Sequence, residues 1–66
     1  MKPSYTKTKA LMDKKGLRPA DMSRETGLNL ATTFTDWKSG KSSPKVEKLL
    51  PIARVLGVGV EELMEE

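Results

Sequence analysis

Four glycines, Gly16, Gly27, Gly40 and Gly57, cut the 66 residues into pieces of helix length, none long enough for more than about four turns. Glycine past the last periodic residue is a helix stop, because it alone enters the left-handed conformation without a Cβ penalty. Strand signals are poor by comparison. There is one Phe, one Trp and one Tyr, few β-branched runs, and no Asn-Gly or Asp-Gly hairpin turn. An all-α, compact five-helix domain over residues 1–66 is expected.

The pieces read as follows. A first helix covers about 4–15, with Tyr5, Thr8, Leu11 and Met12 on one side, Lys14 and Lys15 at its C-terminal end, and Gly16 as its stop. A second opens on Pro19, which suits a first helical position, carries Asp21 in its first turn, and runs to Thr26. A third lies over 30–39 and ends in the turn cluster Ser39-Gly40-Lys41-Ser42-Ser43-Pro44. The fourth spans about 45–56 with Val46, Leu49, Leu50, Ala53 and Leu56 as an apolar stripe, and a fifth covers 60–65. Pro51 sits inside the fourth, where it removes a backbone hydrogen bond at a cost of ~3 kcal/mol in a regular interior. A kink or an irregular first turn is expected there.

Composition removes most enzymology. With no Cys and no His, the chain lacks disulfide staples, zinc-finger spacings, Cys–His and Ser–His nucleophile pairs and the usual proton shuttle. No enzyme, metal or cofactor is expected. The start Met1-Lys2-Pro3 opens no signal-length apolar run, and nowhere do ~18 uninterrupted apolar residues occur. A soluble, cytoplasmic protein away from membranes is the expectation. Charge is lopsided: residues 1–57 hold twelve Lys and Arg against five acids, a net of +7, while 58–66 hold Glu61, Glu62, Glu65 and Glu66 and no base. A +7 body attracts polyanions, nucleic acid first among them.

The segments from Gly16-Leu17-Arg18-Pro19 to Gly27-Leu28, then Phe34, Trp37, Gly40-Lys41, Pro44, Leu49-Leu50, Ile52-Ala53, Leu56-Gly57-Val58 and Glu62-Leu63 resemble the Cro/CI-type helix-turn-helix family of phage repressors and bacterial regulators. The resemblance covers nearly the whole chain and rests on the order and spacing of these pieces. It implies a lambda-repressor-like DNA-binding fold whose second and third helices form the DNA-binding pair, the third lying in the major groove. Four positions depart from the pattern. One extra residue stands between Gly27 and Phe34, Pro19 replaces a common phosphate-binding Gln, Thr8 replaces an aliphatic core residue, and Pro51 interrupts the fourth helix.

The extra residue opens two countings of the third helix. Counting from Gly27 places Leu30 and Ala31 at the leading groove-facing positions. Counting back from Phe34 and Trp37 places Ala31 and Thr32 there, with Thr35 and Asp36 a turn later. We adopt the second, because exposing an aromatic pair forfeits ~1.5–3 kcal/mol per side chain whereas a turn absorbs one residue cheaply. Thr32, Thr35, Asp36 and Ser39 then form the outward face. Thr can bond a base edge or touch the thymine methyl, and Asp can accept from a cytosine or adenine amino group.

Phosphate contacts are expected from Lys38, Lys41, Ser42, Ser43 and Lys45, which combine cations, hydroxyls and a helix N-terminus, with Arg18 and Arg24 on the second helix. Gly40-Lys41-Ser42 is not a nucleotide-binding loop, since the glycine required five positions earlier is Thr35 and no strand precedes it. No small-molecule ligand is indicated. Trp37 is assigned to the core, and the C-terminal glutamates to a solvated helix face. Val58, Val60, Leu63 and Met64 are hard to bury fully in so small a domain and are expected to form a dimer contact. The expected function is a sequence-specific double-stranded DNA-binding transcriptional regulator, read as a repressor, working as a homodimer. The alternative is a protein-interaction module or antitoxin that uses the same fold to bind a partner protein.

Overall fold

The computed structural model describes residues 2–65. It contains β1 (Lys2–Pro3), α1 (Tyr5–Lys15), α2 (Pro19–Thr26), α3 (Ala31–Ser39), α4 (Val46–Leu56), a 3-10 turn (Val60–Leu63) and β2 (Met64–Glu65). Among the described residues the fold is mostly helical, with four α-helices rather than five. The fifth expected helix is the 3-10 turn, whose Glu62 N–H donates to Gly59 O at 3.0 Å. Only four residues separate Gly59 from the point where the chain turns into an antiparallel pairing with its own start, Lys2 opposite Glu65 and Pro3 opposite Met64. A ladder of two residues per strand leaves no period-2 signal to read. Glu61, Glu62 and Glu65 stand exposed, and Glu66 lies outside the described residues.

Helix boundaries follow local chemistry. Ser4 caps α1, its Oγ accepting the Lys7 N–H at 3.2 Å, and its own N–H donates to Leu63 O at 2.7 Å, which ties the start of the helix to the end of the chain. In α2 the Asp21 carboxylate accepts the Arg18 N–H at 3.0 Å. Arginine has no acceptor, so this is half of a capping box. Each α-helix ends at a glycine with positive φ. At Gly40 (φ 81°) the reversal lets the Gly40 N–H reach Trp37 O at 3.2 Å and the Lys41 N–H reach Asp36 O at 2.9 Å. Those bonds close α3 and aim the following loop back along it.

The core comprises Met12, Met22, Leu30, Phe34, Trp37, Leu49, Ile52, Ala53, Leu56 and Leu63. Trp37 meets Tyr5 edge-on at 5.8 Å and stacks on Phe34 at 6.1 Å, as its assignment to the core requires. Thr8, the polar residue at an aliphatic position, is fully buried with its hydroxyl donating to Ser4 O at 2.9 Å, so its burial leaves no unmet hydrogen bond.

One expectation about burial needs correction. Leu63 is fully buried, because the 3-10 turn folds it under α1 and α4, and it is not available to a second subunit. The apolar stripe on α4 is only partly covered: Leu49, Ala53 and Leu56 are buried, but Val46 and Leu50 are 53% and 50% exposed. α4 runs through Pro51 as one element, with its first turn tightened, Lys45 O accepting from both Lys48 N–H (2.9 Å) and Leu49 N–H (3.0 Å).

Candidate nucleic-acid interface

The connection between α2 and α3 is held by side chains of α2. Thr26 Oγ1 donates to Met22 O at 2.7 Å and accepts the Leu28 N–H at 3.2 Å, while Ser23 Oγ accepts the Leu30 N–H at 3.0 Å. These bonds satisfy a turn one residue longer than the common pattern and hold α3 by Leu30, the residue just before its first turn. Leu30 has no exposed surface, whereas Ala31, Thr32 and Thr35 face solvent. Leu30 thus shares the buried side of the helix with Phe34 and Trp37.

α3 therefore has a buried back, Leu30, Phe34 and Trp37, and a front of short side chains. Thr35 Oγ1 donates to Ala31 O at 2.9 Å and Ser39 Oγ to Asp36 O at 3.1 Å. With their protons committed to the backbone, both hydroxyls present lone pairs outward, like the acceptor-only Asp36 carboxylate. Thr32 Oγ1 has no such bond among the described residues.

An open groove of about 750 Å³ runs beside the front of α3. It brings together Thr32, Asp36, Ser42, Ser43 and Lys45 from the sequence-derived set and adds Asn29, Glu47 and Lys48. Lys48 Nζ reaches Thr33 Oγ1 at 3.4 Å across it. Lys45 and Lys48 lie one turn apart at the head of α4, a spacing that could have flagged Lys48 once Lys45 was chosen. Asn29, exposed in the turn, carried no periodic signal.

Other members of the set lie elsewhere. Lys38 and Ser39 border a second groove, with Tyr5, Trp37 and Glu65, to which Ser42 and Ser43 also contribute. Lys41 and Thr35 are exposed and border neither groove. Arg18 just before α2 and Arg24 within it are both paired with Asp21, at 3.7 and 2.9 Å, with side chains 84% and 73% exposed. At such exposure the pairing is weak, and either guanidinium can trade it for a phosphate. The Arg18 N–H bond, followed by the charges of Arg18 and Arg24, holds the Asp21 carboxyl below the usual carboxylate value. Val58, Val60 and Met64 are half-buried against the core.

A buried-backed helix with a short polar front, set by a side-chain-bonded turn on the helix before it, defines a helix-turn-helix DNA-binding module. Residues 8–65 match the family model described as the Cro/C1-type HTH DNA-binding domain, and the chain belongs to that family. It is similar to an uncharacterized HTH-type transcriptional regulator of Haemophilus influenzae, 40% identical over 45 residues, which are 68% of this chain and 18% of that protein. The chain thus spans less than a fifth of that relative's length. No solved structure matches it. Among the described residues no helix is long and apolar enough to cross a membrane.

Proposed function

We propose that the chain is a transcriptional regulator that binds double-stranded DNA sequence-specifically, with α3 in the major groove, and acts as a repressor by occupying its operator as a homodimer. The observation that carries this is the front of α3, where Thr32 and Thr35 stand exposed over a fully buried back, beside a groove flanked by Lys45 and Lys48. In this reading Thr32, Thr35, Asp36 and Ser39 read base edges. Lys38, Lys41, Ser42, Ser43 and Lys45, with Arg18 and Arg24, hold phosphates on either side. The net charge of +7 over residues 1–57 and the family membership support it.

The hydroxyl bonding suggests what is read. Thr35, Asp36 and Ser39 offer acceptors only, so they suit base edges that present hydrogen-bond donors in the major groove, the amino groups of adenine and cytosine. The face has no Arg or Gln for bidentate contacts, each worth ~1–3 kcal/mol of discrimination, and a second subunit and DNA shape supply the remainder.

Selection of bound duplexes from random sequence, followed by titration against salt, tests the proposal. Enriched sites should share fixed base pairs at the positions facing α3, with the adenine or cytosine always on the same strand, and log K should fall by ~0.9 per log unit of salt for each phosphate neutralised. Absence of duplex binding at low salt would end it.

A further inference from the structure

α4 carries an apolar flank that no other element among the described residues covers. Val46 and Leu50, one turn apart, are half exposed, while Leu49, Ile52, Ala53 and Leu56 on the adjoining face are buried. The flank has charged ends: Glu47 lies one residue after Val46, and Arg54 one turn after Leu50, both exposed. Among the described residues neither takes part in an ion pair.

We propose that this flank is where a second copy of the chain docks, the two α4 helices lying antiparallel about a twofold axis between Leu50 and Pro51. The proposal rests on the homodimer reading above and moves its contact from Val58, Val60, Leu63 and Met64 to α4.

The order of charges selects this occupant. A twofold axis between positions 50 and 51 sets Glu47 level with Arg54 of the second copy, and Arg54 level with its Glu47, because each lies the same distance along the helix from the axis. Leu50 then packs across the axis on Leu50 and Pro51 of the other copy, and Val46 on the aliphatic stem of its Arg54. A parallel arrangement would oppose Glu47 to Glu47 and Arg54 to Arg54, so the same charges that favour the antiparallel dimer reject the alternative. Glu47 also borders the groove beside α3. One helix flank is small beside the ~1,200–2,000 Å² of a standard interface, so the free dimer is weak and forms only at high protein concentration.

Sedimentation of the whole chain without DNA, up to about 1 mM, is the test. The wild type should pass from monomer to dimer. Leu50→Glu should stay monomeric, with its melting temperature and its binding to a single half-site duplex unchanged. Glu47→Arg alone opposes two arginines and Arg54→Glu alone opposes two glutamates, so each should be monomeric by itself. Mixing the two restores both pairings, and heterodimers should form at least ~10-fold more tightly than either homodimer. A wild type that remains monomeric at ~1 mM overturns the proposal, as does a dimer that Leu50→Glu leaves intact or a mixture that forms no heterodimer. If the swapped pair associates but no variant binds duplex, the DNA-binding reading fails and this contact stands.

Discussion

Ser23 Oγ accepts the backbone N–H of Leu30 at 3.0 Å, seven residues along the chain. The bond spans the whole turn between α2 and α3, so a side chain of the first helix sets where the second begins. Replacing Ser23 by Ala leaves that half-buried N–H without its acceptor and should cost about 1 kcal/mol, a fall in melting temperature of ~4–8 °C in a domain of this size. Discrimination between duplexes should fall as well, since α3 loses its anchor. Thermal melting and competition binding check both outcomes.

Front and back of α3 should separate in mutagenesis. Thr32→Ala and Asp36→Ala are expected to change base preference with stability altered by no more than ~0.5 kcal/mol. Leu30→Ala and Trp37→Ala remove fully or nearly fully buried side chains and should destabilise by ~2–5 kcal/mol. A Leu30→Ala protein that melts normally yet has lost only specific binding would mean that the counting from Gly27 is the correct one.

Lys45 and Lys48 flank the groove beside α3, whereas Lys41 borders neither groove. Lys45→Ala and Lys48→Ala should weaken binding to all duplexes alike and each reduce the slope of log K against log salt by ~0.9. Lys41→Ala should do less. Salt titrations of the three variants on one duplex give the ranking directly.

Asp21 links the start of α2 to solution pH. Its folded carboxyl titrates below the ordinary value of 3.8, chiefly because it accepts the Arg18 N–H. The unfolded chain therefore binds the proton more readily, and the stabilisation is present above pH 3.8 and lost as pH falls through the lower folded value. In urea melts over that range, Asp21→Asn should lose less stability on acidification than the wild type.

Much of this molecule is written in short-range chemistry. Pro19 opening α2, the glycines ending each α-helix, and the spacing of Leu30, Phe34 and Trp37 all act within a turn or two, and the sequence by itself determined those helix boundaries and the buried back of α3. Tertiary structure decided the rest, because burial depends on which element covers a face and not on the face alone. Leu63 and Leu50 are both leucines on apolar stripes. The 3-10 turn carries Leu63 beneath α1 and α4, while among the described residues no element crosses α4 at Leu50, so one vanishes into the core and the other stays half exposed. The pairing of Lys2–Pro3 with Met64–Glu65 and the reach of Lys48 to Thr33 join residues far apart in the chain, whose meeting no local pattern records.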